Sequence, residues 1–260
     1  MQLCQKISDN LFCLRIPYKD IFTTVYFIKT AEGVMLFDAA SYDEDVDNYI
    51  LPALDELMIP KENLKYVFIS HPHRDHEGGL KRLLELLPHL AVISTAEKHL
   101  ESCAGYNVIL PTEDDLFLGA LRVVLIPGHT VAAAGILDTR DLSLISGDSL
   151  QLYGIFGSGL WGSNIRFPKK HFEAVEKLRQ MEINSIYAAH DYHPLGQFYV
   201  GRDKVAKALD SCVEPLIKVR SLIEKNPELS DEAIASIYND GTVPTLGAHV
   251  VAAIRQMLTE

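Results

Sequence analysis

The sequence predicts a mixed α/β fold in which two strand-rich parts are followed by a helical C-terminal region. Three observations support this class. Short apolar runs typical of buried strands alternate with segments whose leucines recur at helical spacing. A cluster of histidines directly follows one of these runs, and no strand pattern is visible beyond residue 190. Strand runs that helices interrupt indicate two sheets packed face to face, with the helices on the outside.

The strands are predicted from short runs of β-branched, aromatic and other apolar residues that end at Gly, Pro or polar residues. In the N-terminal part, two strands, a turn at Gly33 and a third strand indicate antiparallel pairing. Together these patterns place strands at residues 11–16, 25–28, 34–38, 66–69, 91–94, 108–110, 116–126, 132–137, 142–145 and 185–189.

Helices are predicted where apolar residues recur three and four positions apart, and proline marks several of their ends. Before residue 198 they are expected at residues 42–58, 80–87 and 95–103, and after Pro168.

The C-terminal region is predicted to be entirely helical. An apolar stripe spans residues 205–223, where Pro215 is expected to force a kink or a new helix start. Ser230 is expected to cap a short helix, and residues 246–258 form the last one. We therefore predict a catalytic domain at residues 1–197 and a helical extension at 198–260, packed on that domain or shared with a second subunit in a homodimer.

Composition and charge are those of an ordinary globular protein for which nucleic acid is a poor default partner. The chain has 260 residues and a formal net charge of −11, which repels phosphate backbones. Its four cysteines are widely spaced and form no CxxC pair, so we expect free thiols in a reducing compartment. Residues 1–10 lack a signal-peptide pattern, and no apolar run is long enough to cross a bilayer. These features predict a cytoplasmic protein without membrane association.

The strongest chemical signal is a loop with three histidines and an aspartate, directly after the predicted strand 66–69. In an extended loop alternate residues point the same way, so His71 and His73 can reach one metal ion. Asp75 and His76 then turn toward a second ion. Neutral imidazole and carboxylate suit zinc, manganese or iron, and catalytic sites of these metals keep a position open for water.

The pattern His71-x-His73-x-Asp75-His76 resembles the signature of the metallo-β-lactamase-fold hydrolases. This resemblance implies an αββα sandwich with metals at one edge between the sheets. It also implies three further ligands: a histidine, an aspartate that bridges two metals, and a last histidine. Candidates occur in that order, each just after an apolar run: His129, Asp148 and His190.

The resemblance further implies which metal ion each of these residues binds. His71, His73 and His129 hold the first ion, Asp75, His76 and His190 hold the second, and Asp148 bridges both. The cofactors are two divalent ions, with zinc expected and manganese or iron as alternatives. A hydroxide held between the ions attacks a small-molecule substrate, and Asp75 orients it and takes its proton.

For three further features the sequence leaves two interpretations open. His193 competes with His190 for the last ligand position, and otherwise serves as a proton donor or substrate contact. Asp38 either supports a metal-binding histidine or is a turn or cap carboxylate. Residues 151–164, rich in glycine and aromatics, form either a packed surface loop or a lid that lines the substrate. The lid is favoured, with substrate-lining residues Tyr153, Phe156 and Trp161.

Substrate class is less specific than fold and metal. Glyoxalase II enzymes, which cleave thioesters, share the ligand order and a helical C-terminal region, but this chain lacks their glycine-cysteine-glycine-arginine stretch. Family lactonases share the metal set. Secreted β-lactamases have cysteine where Asp148 stands, and nuclease branches insert a large domain that the gap before His190 is too short to hold. We expect hydrolysis of a thioester, lactone or small phosphodiester. The alternatives are a mononuclear iron enzyme of sulfur or oxygen chemistry and a metal-stabilised binding protein without turnover.

Overall fold

The protein is described by a computed structural model that covers residues 2–152, 162–193, 195–240 and 246–259. Its strands belong to two β-sheets accompanied by helices, which confirms the predicted α/β class. The chain divides into two compact units: Met1–Leu125 with Ala134–Arg140, and Ile126–Ala133 with Asp141–Glu260. The predicted division into residues 1–197 and 198–260 is a different partition and stays a prediction.

The first unit contains a seven-stranded sheet in which the strands follow one another in chain order. These strands are β1 (Cys4–Lys6), β2 (Leu11–Tyr18), β3 (Ile21–Thr30), β4 (Gly33–Phe37), β5 (Leu64–Ile69), β6 (Ala91–Ser94) and β7 (Asn107–Ile109). Strands β1 to β4 pair antiparallel, and β4 to β7 pair parallel. Because the carboxyl ends of parallel strands meet at one edge, the loops after β4 and β5 lie together.

The helical segments of the first unit are short. They are α1 (Asp43–Asp45), a π-helical turn (Val46–Ile50), α2 (Leu51–Glu56), a 3₁₀ turn (Lys61–Asn63), α3 (Arg74–Glu77), α4 (Leu80–Leu86) and α5 (Lys98–Ser102). Leu54 of α2 and Leu83 of α4 join Val67 and Ile69 of β5 in one buried cluster. The single helix predicted at 42–58 is therefore a helical stretch with a π-helical centre.

Three further strands of the first unit are β8 (Leu116–Phe117), β9 (Leu121–Leu125) and β10 (Ala134–Asp138), all paired antiparallel. The strand pattern predicted at 116–126 forms two strands, β8 and β9. Leu118 and Gly119 both have positive φ, 49° and 68°, so the chain turns there and forms a tight hairpin.

The second unit contains β11 (Ser143–Gly147), α6 (Pro168–Arg179), β12 (Ser185–Tyr192) and β13 (Gly196–Val200). Strand β12 pairs parallel with β11 and antiparallel with β13. The prediction that no strand follows His190 is therefore wrong. Strand β13 escaped the sequence pattern because one of its two buried positions is the polar Gln197.

The C-terminal helices are α7 (Arg202–Lys225), α8 (Asp231–Asn239) and α9 (Ala248–Met257). The new helix start predicted at Pro215 is wrong, because α7 is one helix that includes Pro215. The alternative, a kink at Pro215, stays a prediction. The predicted cap is confirmed, since Ser230 Oγ accepts a hydrogen bond from the Ala233 amide. The three helices bury apolar side chains in one cluster that also includes Ile165.

Two further sequence expectations concern the whole chain. All four cysteines are free, as predicted, and all four are buried. Within the described ranges, no helix combines the length and the apolar character needed to span a membrane.

Candidate metal centre

Four of the predicted ligands lie on the segment that leads from β5 into α3. His71 and His76 are fully buried, whereas His73 and Asp75 are partly exposed. His71 Nε2 lies 2.9 Å from His73 Nδ1, and His76 Nε2 lies 3.3 Å from Asp75 Oδ2. The His71 and His76 rings also lie close, with centroids 4.2 Å apart, so the structure gathers all four side chains.

A single buried carboxylate, Asp38, organises this segment from the end of β4. Its Oδ1 accepts the backbone amide of Ser70 at 2.8 Å, and its Oδ2 accepts the Ser70 hydroxyl at 2.9 Å. The same Oδ2 lies 2.7 Å from His76 Nδ1. Asp38 adopts φ 65°, a conformation that costs an L residue free energy and that these bonds stabilise. Of the two interpretations of Asp38, the histidine support matches its contacts.

These contacts assign the protons on two imidazoles. A carboxylate only accepts, so His76 Nδ1 donates to Asp38 and Nε2 is its remaining ring nitrogen. The Ser70 hydroxyl donates to Asp38, so its oxygen accepts from His71 Nδ1 at 3.1 Å. Nε2 of His71 then carries the lone pair. Both rings thus present the nitrogen that a metal needs.

The pKa of His76 is set by opposing effects. Burial disfavours the charged imidazole, but the Asp75 and Asp38 carboxylates outweigh it and hold the pKa well above its ordinary value. A proton therefore competes with a cation for His76 Nε2, and binding of a metal ion at this nitrogen releases a proton.

Gly78 follows α3 and allows the segment to lie directly on the loop after β4. A Cβ atom at Gly78 would lie 1.9 Å from the Ser41 carbonyl oxygen. The Gly78 amide donates to Ala40 O at 2.9 Å, and the Ala39 amide donates to His76 O at 2.7 Å. This backbone contact is possible only without a side chain at 78.

The far end of α3 is held by a buried histidine of α5. His99 Nε2 lies 2.7 Å from Glu77 Oε2, and His99 Nδ1 lies 2.7 Å from Ser94 Oγ. Burial alone would raise the pKa of Glu77, but hydrogen bonds from His99 and Lys98 hold it below its ordinary value. Sequence analysis assigned His99 no role. Its contacts show that it anchors the helix that carries Asp75 and His76.

The second unit brings the other three predicted ligands together. Asp148 directly follows β11 and His190 lies in β12, and the parallel pairing of these strands places both at the same end. Asp148 Oδ2 lies 3.3 Å from His129 Nε2 and 4.0 Å from His190 Nε2. All three side chains are buried. The exposed His193 follows β12, so His190 is the histidine that lies beside Asp148.

The other carboxylate oxygen of Asp148 is held by polar side chains. The Tyr192 hydroxyl donates to Asp148 Oδ1 at 2.5 Å, and Gln151 Nε2 donates to it at 3.0 Å. Burial, together with the adjacent Asp148 charge, holds the pKa of Tyr192 well above its ordinary value, so the phenol remains a donor.

The loop that carries His129 is fixed from the segment before α6. His129 Nδ1 donates to the Asn164 carbonyl oxygen at 2.9 Å, which leaves Nε2 as the nitrogen facing Asp148. Gly128 has φ 152°, and a Cβ there would lie 2.5 Å from Cβ of His171 on α6. The Gly128 carbonyl accepts the amides of residues 166 and 167 at 3.0 and 2.9 Å. Glycine is therefore required next to this ligand.

Sequence reasoning missed several side chains that hold the predicted ligands. Tyr192 had a detectable signal, because it lies two residues after His190 and shares its strand face. Gln151 and Asn164 had none, since their roles depend on contacts across 13 residues of chain. The predicted substrate-lining residues Tyr153, Phe156 and Trp161 lie outside the described residues, so their assignment stays a prediction.

The donor sets fit a divalent transition metal. Each unit offers imidazole and carboxylate ligand atoms that lie within 4.0 Å of a neighbouring one. Imidazoles of both units donate their second nitrogen to a carboxylate, hydroxyl or carbonyl oxygen. This support fixes the tautomer in metal-binding histidines generally. Imidazole with carboxylate suits zinc, manganese and iron.

These features define an α/β protein that gathers histidine and aspartate ligands beyond its strand ends. A family model described as the metallo-beta-lactamase superfamily matches residues 18–190, more than half of the chain. The chain belongs to the metallo-β-lactamase superfamily.

Curated relatives are similar over part of the chain. A hydroxyacylglutathione hydrolase from Vibrio parahaemolyticus is 27% identical over 146 residues, which covers 54% of this chain and 53% of that protein. A hydroxyacylglutathione hydrolase from Crocosphaera subtropica is 30% identical over 186 residues, with 70% and 71% covered. The chain spans about half the length of the first curated relatives that it matches.

Solved structures share the fold at low identity. A metallo-beta-lactamase family protein from Thermus thermophilus has a TM-score of 0.71 at 18% identity, covering 98% of this chain and 94% of that one. The flavodiiron protein from Giardia intestinalis has a TM-score of 0.66 at 17% identity, covering 82% and 59%. These similarities confirm the predicted metallo-β-lactamase fold with its helical C-terminal region.

Proposed function

We propose that the protein is a binuclear metallohydrolase that cleaves a small ester-type substrate. The observation that carries this proposal is the pair of supported ligand sets, each with imidazoles whose second nitrogen is already committed to a protein acceptor. Membership of the metallo-β-lactamase superfamily and the curated hydrolase relatives support the same class. Incidental surface histidines rarely have such support.

The proposed ligands follow the sequence pattern. His71, His73 and His129 hold one ion, Asp75, His76 and His190 hold the other, and Asp148 contributes to both. Within each unit, ligand atoms of these residues lie 2.9 to 4.0 Å from one another, which supports this assignment. Zinc is the expected metal, with manganese or iron as alternatives, because all three accept imidazole and carboxylate.

The ions would supply Lewis acidity, which lowers the pKa of water toward neutrality and stabilises negative charge on the substrate. The chain's own residues orient the attacking water and hold the ligands in position. Asp75 is partly exposed, so its carboxylate can both orient an attacking water and accept its proton. Asp38 holds His76 in one orientation, and Tyr192 keeps Asp148 fixed by donating to Oδ1.

The first substrate class to test is a thioester, because the curated relatives are named for hydrolysis of hydroxyacylglutathione. This chain has Leu152 and Tyr153 near the point where glyoxalase II enzymes carry glycine, cysteine and arginine. Lactones and small phosphodiesters therefore belong in the same panel. A small molecule rather than nucleic acid is the expected substrate, because the net charge of −11 repels phosphate backbones. The expected compartment is the cytoplasm.

Elemental analysis of protein purified without added metal, followed by a panel of thioesters, lactones and phosphodiesters, tests this proposal. We expect about two zinc, manganese or iron ions per chain and hydrolysis of at least one ester class. One iron per chain with no hydrolysis would favour the mononuclear iron enzyme. Bound metal with no turnover of any panel member would favour the binding protein. Either result contradicts the proposed function.

The substitution Asp148→Ala tests the shared ligand. We expect loss of bound metal and of turnover with the fold retained, because Ala removes a buried carboxylate that faces two imidazoles. Asp141→Ala is the matched control. Asp141 Oδ1 accepts the Ser143 amide at the start of β11, so it supports the strand that precedes Asp148 without being a proposed ligand. Full activity in Asp148→Ala would show that the assignment is wrong.

A further inference from the structure

We propose that Gln151 is a positioning residue that couples the orientations of two proposed metal ligands, Asp148 and His129. This inference rests on the proposed function, because it concerns how the chain holds those ligands. Gln151 is 1% exposed, and every polar atom of its amide is used. No sequence pattern or family motif singled it out.

The Gln151 amide bonds in two directions. Its Nε2 donates to the Asp148 backbone oxygen at 2.8 Å and to Asp148 Oδ1 at 3.0 Å. Its Oε1 accepts the Asn164 amide at 2.6 Å. The Asn164 carbonyl in turn accepts His129 Nδ1 at 2.9 Å. The connection therefore runs from one ligand to the other through two residues.

This chain of bonds fixes the amide orientation. The Asn164 N–H requires an acceptor, and the two Asp148 oxygens require donors, so only a primary amide satisfies all three in one side chain. Glutamate keeps the acceptor but loses both donors, and it adds a negative charge beside Asp148. Methionine matches the length and loses all three bonds.

The bond to Oδ1 decides which Asp148 oxygen faces the imidazoles. Gln151 and Tyr192 both donate to Oδ1, whereas Oδ2 lies nearest to His129 and His190. Two donors from different directions prevent rotation of the carboxylate about its Cβ–Cγ bond. Without Gln151, the carboxylate loses one of these donors, and the His129 support loses its link to β11.

The His129 end of the connection has a further anchor. Asn164 Oδ1 lies 3.0 Å from His249 Nε2 on α9. Ser163 Oγ donates to the Leu152 carbonyl at 2.7 Å, so residues 151–152 and 163–164 are joined by two hydrogen bonds. The amide of Gln151 is thus held in place. It contacts Asp148 directly, and the backbone of Asn164 connects it to His129.

The test compares Gln151→Met and Gln151→Glu with the wild-type chain and with a matched control. The control is Asn239→Leu. Asn239 also bridges two chain segments through its amide, since it donates to Leu246 O at 2.8 Å and accepts the Leu246 amide at 2.7 Å. It belongs to α8 rather than to the ligand segments.

The readouts are zinc affinity, measured by competition with a chromophoric chelator, and the visible absorption of the protein loaded with cobalt(II). For both Gln151 variants we expect at least one ion to bind roughly 10-fold to 100-fold more weakly. We also expect a shifted cobalt band, because the ligand field around Asp148 changes. Asn239→Leu is expected to lower Tm while it keeps the wild-type affinity and cobalt spectrum.

Wild-type affinity and spectrum in Gln151→Met would overturn the proposal, as would equal weakening in Asn239→Leu. If Gln151→Met fails to fold, Gln151→Glu decides, because it keeps the acceptor for the Asn164 amide. A wild-type chain that binds neither zinc nor cobalt would contradict the proposed function itself. That result is distinct from unaltered metal binding in the Gln151 variants.

Discussion

Asp38 shows how much one buried side chain contributes to the candidate site. Its two oxygens serve the Ser70 amide, the Ser70 hydroxyl and His76. Through Ser70 it also fixes the tautomer of His71. A neutral amide at this position keeps the shape but cannot accept all of these donors.

The substitution Asp38→Asn is expected to weaken metal binding about 10-fold to 100-fold, because His76 loses its charged acceptor. Competition with a chromophoric chelator measures this affinity. Asp45→Asn provides the control, since Asp45 is also buried and accepts the amides of Ser41 and Tyr42. An Asp38→Asn protein with wild-type affinity would show that Asp38 does not support a metal ligand.

His171 predicts a pH dependence of stability. Burial lowers the pKa of His171 from 6.5 to about 4, against a smaller opposing effect of the Cys212 carbonyl. The unfolded chain therefore binds a proton in this range that the folded chain does not. Stability is fully present above about pH 7 and is lost as the pH falls from about 6.5 to about 4. The loss reaches up to about 3 kcal/mol.

Denaturant unfolding of metal-free protein between pH 7 and pH 4 measures this contribution. His171→Gln does not titrate, so the difference in unfolding free energy between wild type and variant is expected to change with pH in that window. A difference that stays constant from pH 7 to pH 4 would contradict the assignment.

At the scale of elements, the ligand loops were the most predictable part of the chain. Strand β6 has the predicted bounds, and the histidine loop follows β5 as expected. Local chemistry determines these features, because apolar runs and glycines act over a few residues. The new helix start at Pro215 and the absence of a strand after His190 were mispredicted because tertiary packing decides both. Helix α7 contacts α6, α8, α9, β12 and β13 along its length.

The candidate site also combines features that the local sequence determines with features that tertiary contacts determine. The four proposed ligands at 71–76 were predicted from residue type and position after a strand, and the other three from the family resemblance together with the apolar runs before them. Among the side chains that hold these ligands, only Tyr192 had a sequence signal, through its strand face. Gln151 lies three residues from Asp148, but its other partner, Asn164, is 13 residues away and lies 35 residues from His129. Hydrogen bonds of this kind depend on the folded backbone and leave no local pattern.

The contact between α3 and the loop after β4 leads to a prediction for Gly78. Gly78→Ala is expected to destabilise the fold by more than about 2 kcal/mol and to reduce metal content, because its Cβ would overlap the Ser41 carbonyl. Denaturant unfolding and elemental analysis measure the two effects. Gly105→Ala is the control for backbone strain alone, because no atom lies within 4 Å of its Cβ position but its φ is 93°. It is expected to lower stability and keep the wild-type metal content. Equal loss of metal content in both variants would mean that the close contact is unimportant.

At the scale of the whole molecule, the C-terminal helices are integrated with the unit that carries Asp148 and His190. The helices α7, α8 and α9 share a buried cluster with Ile165, which precedes α6. The His171 imidazole donates from Nε2 to the Cys212 carbonyl on α7 at 3.2 Å. Strand β13, which ends at residue 200, pairs with β12.

A chain truncated after residue 197 is therefore expected to lose cooperative unfolding, because it exposes this cluster and removes most of β13. Near-ultraviolet circular dichroism during a urea titration compares it with the full chain. A cooperative transition in the truncated chain, with metal affinity retained, would instead support the predicted independent domain at residues 1–197.

The close packing of Gly128 against His171 has an evolutionary consequence. A Cβ at 128 would meet Cβ and Cα of His171, and every residue other than glycine keeps both atoms. A smaller side chain at 171 therefore makes no room, and a side chain at 128 requires the backbone of α6 to move. Homologous proteins that carry a side chain at 128 are then expected to hold this helix further from the loop.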